Sequence, residues 1–233
     1  MKALVIDDDD GIIQSVSLCL GLIWPDSDIN WCHLGNEGIS MVRETSPELV
    51  VLDLGLPDIS GYDALKSIRS FSKVPVIVLT VRSDEDDVVR AFKLGADDYI
   101  TKPFRKFEFL ARIQSALSKF YPRAEDTGSI KTKYGNLQFD STLKQLIYNG
   151  KTISLTSTES NTLRILLDRQ GKIVSYKEIE QELWGHNVPN SVKVIRVYVN
   201  RLREKLELNP KNPRLIITEP GIGYSIHPTG PRS

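Results

Sequence analysis

Four sets of residues in this chain could do chemistry together. Asp53 ends the apolar run Val50, Val51, Leu52, and Gly55 and Pro57 follow it at once. Asp7 and Asp8 end a second apolar run, Ala3 to Ile6. Thr80 ends a third, Val76 to Leu79, and Lys102 stands just before Pro103. Three carboxylates cannot share a small site unpaired, because like charges at close range repel or raise pKa values. A hard divalent cation resolves this, and Mg²⁺ needs only one or two carboxylates, a phosphate and waters. Lys102 adds a point charge for a phosphoryl oxygen, and Thr80 a hydroxyl donor. A metal, a carboxylate nucleophile, a lysine and a hydroxyl describe phosphoryl transfer to a carboxylate, here Asp53.

These residues converge only if the elements between them alternate correctly. Runs buried on both faces read as strands of a parallel sheet. Ala3–Ile6, Ile29–His33, Leu49–Leu52, Pro75–Thr80 and Asp98–Thr101 are the expected strands. Between them lie helical patterns: Ile12, Ile13, Val16, Leu20 and Ile23; Gly38 to Glu44; Tyr62 to Arg69; a helix capped by Ser83 and stopped by Gly95; and Phe107 to Leu117. Asp84 to Asp87 make an acidic first turn that suits the helix dipole. Asp9 and Asp10 read as a solvated helix start. The strand–helix alternation predicts a five-stranded, doubly wound parallel sheet with helices on both faces. Asp7, Asp8, Asp53, Thr80 and Lys102 then meet at the carboxyl edge, where ligands of open α/β sheets bind.

With 233 residues the chain has room for two ordinary domains. Charged residues make up 26% and hydrophobic ones 40%, an ordinary soluble composition. No apolar run reaches membrane-spanning length, and the short start Met1 to Ile6 is not a signal peptide. Cys19 and Cys32 lack metal-like spacing and read as reduced thiols. A cytoplasmic protein is expected. The net charge of zero hides an asymmetry. Residues 1–120 hold 13 Lys and Arg against 19 Asp and Glu, a net of −6; residues 121–233 hold 17 against 11, a net of +6. A basic second half suits nucleic acid.

That half is organised differently. Pro122 to Thr132 is polar and reads as a linker. Short alternating strands follow at Leu137–Phe139, Leu146–Tyr148 and Thr152–Leu155, with Asn149-Gly150 as a hairpin signal. Thr156 with Glu159 and Ser175 with Glu178 form two capping boxes, each opening a helix. A third helix spans Ser191 to Leu206. Its apolar stripe is Val192, Ile195, Val199, Leu202 and Leu206. Lys193, Arg196, Asn200 and Arg203 share another face, flanked by Arg201 and Lys205. Two last strands enclose Glu219 to Ile222, and Tyr224 in the second is a candidate DNA contact. Helix, short helix, basic helix, hairpin is the order of a winged helix-turn-helix, and a basic amphipathic helix fits the DNA major groove.

Residues 1–120 resemble the receiver domain of bacterial two-component response regulators, the CheY-like, flavodoxin-like fold. The resemblance rests on Asp7-Asp8, Leu52-Asp53-Leu54 with Leu56-Pro57, Thr80, and Gly95 to Phe104. It implies that Asp53 is the phospho-acceptor. Asp8 and the Gly55 carbonyl would bind Mg²⁺ with it, and Asp7 would act mainly through a metal-bound water. Thr80 and Tyr99 would be the switch pair, and Lys102 the phosphate partner. Residues 133–228 resemble the OmpR/PhoB winged-helix effector domain, on Leu155 to Glu159, Leu183-Trp184-Gly185, Val197 to Leu206 and Gly221 to Tyr224. Arg196-Val197-Tyr198 and Thr218 to Tyr224 look closer to the KdpE branch. Within this family the helix from Ser83, the strand at Asp98 and the helix from Phe107 pair two receivers; Arg90, Lys93, Asp97, Asp98, Glu108 and Arg112 are the candidate cross-dimer charges. The loop Trp184 to Asn190 is the family's candidate surface for RNA polymerase. There are departures. The segment Leu22 to His33, with Trp24 and Trp31, replaces a shorter turn. Pro220 stands where a wing cation is common, and Arg196 where an acid is common.

The expected organisation is a receiver at 1–120, a linker at 121–132 and a winged-helix domain at 133–233. The expected function is a regulator, not an enzyme. A sensor histidine kinase phosphorylates it on Asp53, and it then dimerises and binds double-stranded DNA. Two other readings compete. An aspartyl-phosphate phosphatase wants a second aspartate two residues past the nucleophile, where this chain has Gly55. A phosphorylation-independent regulator would use the receiver only to dimerise.

Overall fold

The computed structural model describes all residues except 121–130, 135–136, 141–144, 186–187, 189 and 228–233. The chain forms two compact units, Met1–Leu117 and Ser118–Ser233.

The first unit alternates β1 (Lys2–Ile6), α1 (Asp10–Ile23), β2 (Asp28–Cys32), α2 (Gly35–Thr45), β3 (Leu49–Leu52), α3 (Gly61–Phe71), β4 (Val76–Thr80), α4 (Glu85–Leu94), β5 (Asp98–Thr101) and α5 (Lys106–Phe120). The strands make one parallel sheet in the order β2-β1-β3-β4-β5. The apolar runs of β1, β3 and β4 are buried throughout past Lys2, as their composition predicts. On one face Val5, Val51 and Ile77 pack with Val16 and Leu20 of α1 and Phe109 and Ile113 of α5. Each such fully buried side chain contributes about 1.5–3 kcal/mol.

In this strand order the direction of winding reverses between β1 and β3, which opens a crevice there. Ile6 is in register with Leu52, so the next residues, Asp7 and Asp53, stand side by side at that crevice. The Asp53 N–H donates to the Ile6 carbonyl (2.9 Å) and fixes the step. Asp9 caps α1, its carboxylate accepting from the Gly11 and Ile12 N–H groups. The α4 start differs from expectation. Asp84, not Ser83, is the N-cap, and it makes no side-chain cap bond; the acidic first turn of Glu85, Asp86 and Asp87 complements the helix N-terminus instead. Gly95 ends α4 in the left-handed conformation (φ 112°). Trp24 packs on the core and Trp31 is half exposed.

The second unit opens with an antiparallel sheet of β6 (Lys131–Tyr134), β7 (Leu137–Asp140), β8 (Gln145–Tyr148) and β9 (Lys151–Ser154). Lys131 and Thr132 therefore belong to a strand rather than the linker. Backbone pairing with β7 defines that strand, and no apolar alternation announces it. The rest of the expected linker, 121–130, lies outside the described residues. Asn149 (φ 50°) and Gly150 (φ 77°) turn β8 into β9 as the dipeptide predicts. Then come α6 (Ser157–Asp168), β10 (Val174–Ser175), α7 (Tyr176–Trp184), α8 (Ser191–Leu206), β11 (Ile216–Glu219) and β12 (Gly223–Ile226), with strand order β10-β12-β11. Both capping boxes form, from Thr156 with Glu159 and from Ser175 with Glu178. Gly223 is required where β10 meets β12, since a Cβ there would lie 1.9 Å from the Val174 carbonyl oxygen. Helix, helix, helix and hairpin follow in winged-helix order.

Candidate phosphoryl-acceptor site and nucleic-acid face

Asp53 is 6% exposed and Asp7 1%, while Asp8 is open to solvent. One oxygen of the Asp53 carboxylate, Oδ1, accepts from the N–H groups of Leu54 (2.6 Å) and Gly55 (3.2 Å). The other, Oδ2, lies 2.7 Å from Lys102 Nζ. The same ammonium lies 2.7 Å from Asp7 Oδ2. That Asp7 oxygen is buried and has no well-directed hydrogen-bond donor among the described residues; Lys102 meets it as an ion pair. Asp7 Oδ1 accepts from the Asp9 N–H (3.1 Å).

Burial pushes the Asp7 carboxyl above its ordinary value, and Lys102 opposes that shift. For Lys102, burial disfavours the ammonium, but its bonds to Asp53 and Asp7 outweigh it and hold its pKa above the usual lysine value. One cation thus offsets two buried carboxylates, with Asp8 adding a third negative charge. Oxygens of Asp7, Asp8 and Asp53 lie within 4.8 Å of one another. A hard divalent cation fits this donor set, which is all oxygen, has an underbonded buried atom and carries excess negative charge.

Thr80 is fully buried at the end of β4, and its hydroxyl accepts from the Arg82 N–H (3.4 Å). Lys102 hangs from the neighbouring strand end, its N–H donating to the Thr80 carbonyl (2.7 Å). Tyr99 is buried and its hydroxyl donates to the Arg82 carbonyl (2.9 Å). Burial, then the charge of Asp87, pushes its phenol well above the ordinary range. Gly55 stands exposed beside Asp53.

Three residues that sequence reasoning missed hold this site. The Gly61 backbone packs onto Asp53: a Cβ at Gly61 would lie 2.1 Å from the Asp53 carbonyl oxygen. Asp58 pins the loop after Asp53 to the start of α2 through the N–H groups of Gly35 (2.7 Å) and Asn36 (2.9 Å). Tyr62, on α3, donates to Asp87 Oδ1 (2.6 Å). The glycine following a polar loop was the available signal for Gly61; nothing local announces the other two.

The candidate dimer charges are largely engaged inside the receiver. Asp97 pairs with Arg69 (2.8 Å), and the Asp98 side chain is buried against Arg112 (3.3 Å). Glu108 also pairs with Arg112 (2.8 Å). Asp97 and Asp98 are thus both paired within the receiver itself. The Arg90 guanidinium lies 4.1 Å from the Tyr62 ring centroid, and Lys93 sits in the last turn of α4.

In α8, Lys193, Arg196 and Asn200 are exposed and Arg201 is half-exposed. Val194, Ile195, Tyr198, Val199, Leu202 and Leu206 are buried. Arg203 corrects the sequence reading. It is 9% exposed and donates to the Ile216 carbonyl (Nε 3.1 Å, Nη2 2.7 Å) and the Thr218 hydroxyl (2.8 Å). It points inward because Ile216 offers a carbonyl that its fork satisfies, and Glu204 takes the exposed position expected for it. Tyr224 is also buried, edge-on to Tyr176 at 5.6 Å, which removes it from the exposed wing. Burial, followed by Tyr176, raises its phenol to about 12. Lys205 pairs with the buried Glu159 of α6.

Residues 3–114 match the response regulator receiver domain, and residues 150–226 match the transcriptional regulatory protein C-terminal domain. The chain is 38% identical to the transcriptional regulatory protein KdpE of Mycobacterium tuberculosis, over 95% of this chain and 96% of that one. It is 33% identical to the DNA-binding response regulator MtrA of Mycolicibacterium smegmatis, over 97% of each. The chain belongs to the OmpR/PhoB-type response regulators. It is a two-component response regulator with a receiver and a DNA-binding domain. Among solved structures, DrrB, a Thermotoga maritima OmpR/PhoB homologue, matches with a TM-score of 0.50 and 32% identity, over 97% of this chain and 98% of that one. A RitR mutant matches over the same shares with a TM-score of 0.72 at 21% identity, which speaks to fold alone. This response regulator's relatives are transcriptional regulators by name, and no described helix is long and apolar enough to cross a membrane.

Proposed function

We propose that a sensor histidine kinase phosphorylates this response regulator on Asp53, and that the phosphorylated protein dimerises through its receiver and binds specific DNA sites to control transcription. The observation that carries the reading is the Asp53 carboxylate held 2.7 Å from Lys102 Nζ, at a sheet edge shared with Asp7 and Asp8. An Asp53 oxygen attacks phosphorus, the bond to the donor's leaving group breaks, and Asp53 ends as an acyl phosphate. Lys102 then trades its carboxylate partner for a phosphoryl oxygen. Asp7, Asp8, Asp53 and the Gly55 carbonyl would hold Mg²⁺, which would supply positive charge to offset that of the phosphoryl oxygens.

The new oxygens favour a Thr80 hydroxyl drawn towards them, and Tyr99 seated inward beneath it. Phosphorylation selects that state rather than creating it. Arg90, Lys93 and Arg112, with Glu108, are the charges proposed near the receiver–receiver contact. On DNA, Lys193, Arg196, Asn200 and Arg201 would face phosphates and base edges. The loop from Trp184 would meet RNA polymerase; it lies partly outside the described residues. These partners set the place of action in the cytoplasm.

The test is incubation with acetyl phosphate and Mg²⁺, followed by peptide mass spectrometry. Phosphate on Asp53, absent without Mg²⁺ and absent in Asp53→Asn, is the expected result. A folded protein that stays unmodified would leave only phosphorylation-independent DNA binding.

A further inference from the structure

Tyr62 is 2% exposed, yet its hydroxyl finds a charged partner at the edge of its site. The phenol donates to Asp87 Oδ1 at 2.6 Å and points at the Asp87 carbonyl at 3.4 Å. A phenol bonded to a carboxylate is a charge-assisted pair, among the stronger protein hydrogen bonds. Burial, then the bond to Asp87, pushes the Tyr62 phenol well above the ordinary range, so it remains the donor. Arg82 closes the group, its guanidinium 3.8 Å from the same Asp87 oxygen and 5.8 Å from the Tyr62 ring centroid. The carbonyl of that same Arg82 receives the Tyr99 hydroxyl at 2.9 Å.

Tyr62 follows Gly61, whose backbone lies so close to Asp53 that an added Cβ would sit 2.1 Å from the Asp53 carbonyl oxygen, and whose N–H donates to the Leu54 carbonyl (3.1 Å). A connected path therefore runs from the acceptor strand through Gly61 and Tyr62 to Asp87 on α4, to Arg82 in the β4–α4 loop, and to Tyr99. It does not pass through Thr80. Arg82 lies in the loop that must move if Thr80 moves, and Asp87 is in the first turn of the helix that loop enters.

We infer that Tyr62 is a positioning residue of the switch: by holding Asp87, its hydroxyl fixes the β4–α4 loop so that the Arg82 carbonyl is placed to receive an inward Tyr99. The inference rests on the reading of Tyr99 as a switch residue. Losing the tether shifts the Tyr99 equilibrium outward, by about tenfold or more for one hydrogen bond to a charged group. Phosphorylation then has to overcome that shift before dimers form.

The test uses the full chain with a fluorinated tyrosine at position 99, read by ¹⁹F NMR without phosphorylation. Tyr62→Phe removes one oxygen and Asp87→Asn one charge. Each should raise the outward fraction of Tyr99, and the double variant should add nothing further. After acetyl phosphate and Mg²⁺, Tyr62→Phe should carry wild-type phosphate on Asp53 but dimerise more weakly by about tenfold or more. Unchanged Tyr99 populations in both single variants would overturn the inference. If Tyr62→Phe fails to fold, Asp87→Asn, at a partly exposed carboxylate, decides alone. Failure of the wild type to take phosphate would overturn the acceptor reading, while the fluorine signal still decides the role of Tyr62.

Discussion

Replacing Arg203 with methionine should destabilise the winged-helix unit and leave its electrostatic grip on DNA intact. The guanidinium donates twice to the Ile216 carbonyl and once to the Thr218 hydroxyl, all within 3.1 Å. It also lies 5.6 Å from the Tyr224 ring centroid. Methionine fills the space of the stem but donates nothing. Leaving the carbonyl and hydroxyl underbonded costs about 1–3 kcal/mol, and losing the cation over the ring about 0.5–2 kcal/mol more. Part of this is returned, because the buried charge no longer has to be desolvated. Burial is what holds the Arg203 pKa below the usual arginine value. A net loss of about 2 kcal/mol follows, which lowers the melting temperature of a unit this size by roughly 10 °C. Calorimetry on the full chain measures that shift. DNA affinity against salt supplies the second reading. A phosphate contact contributes about 0.9 to the slope of log K against log salt. The slope should stay at the wild-type value in Arg203→Met and fall by about that amount in Arg196→Met. Wild-type melting with a flattened slope in Arg203→Met would refute the inward assignment.

Other expectations concern the acceptor site. Asp7 has a folded-state pKa raised by burial. An acid of this kind contributes its full stability below the unfolded pKa and loses it as pH rises through the folded one. Asp7→Asn should therefore raise the receiver's melting temperature at neutral pH, with the gain fading towards about pH 4, and it should weaken Mg²⁺ binding; a scan of melting temperature against pH checks the sign. Gly61→Ala puts a Cβ 2.1 Å from the Asp53 carbonyl oxygen, forcing a backbone shift that costs about 2 kcal/mol or more in urea unfolding and slows phosphorylation by acetyl phosphate. Asp58→Ala frees the loop after Asp53 from the two N–H groups of α2; a phosphorylation rate below wild type with little change in melting temperature is expected, and an unchanged rate would exclude a positioning role.

Much of the receiver was legible because its physics is local. Apolar runs such as Leu49 to Leu52 can be satisfied only between two layers of helices, and each delivers the next residue to the same sheet edge. The strand order itself came with the resemblance to CheY-like receivers, since right-handed connections alone allow more than one order. Strand β6 was not legible, because it is polar and exists through backbone pairing with β7. The same holds for β10, two residues long and paired with β12 across Gly223. The start of α4 was misread by one residue because Ser83 and Asp84 are both good cap residues and nothing in the spacing separates them.

Charged side chains were the harder problem, and the reason is reach. Helical spacing assigns a Cβ to a face, but an arginine carries its donors several bonds further. Arg203 shares a helical row with Lys193, Arg196 and Asn200, yet a carbonyl in β11 lies within its reach and the guanidinium turns in. Arg69 does the same in the receiver, where its fork takes the carbonyls of Gly95 and Val74 and the carboxylate of Asp97. Asp97 and Asp98 are consecutive acids at the start of β5, and each is claimed by an arginine from a helix, Arg69 of α3 and Arg112 of α5. Such partners lie 28 and 14 residues away in sequence. A planar fork that satisfies several oxygens at once offsets the cost of leaving water in a way a lysine ammonium cannot. In each unit the arginines that turn inward thus serve to fix strands and helices, and the charge left for partners is smaller than composition suggests. The net of +6 in the second half overstates what DNA can meet, since Arg203 is buried and Lys205 is paired with Glu159.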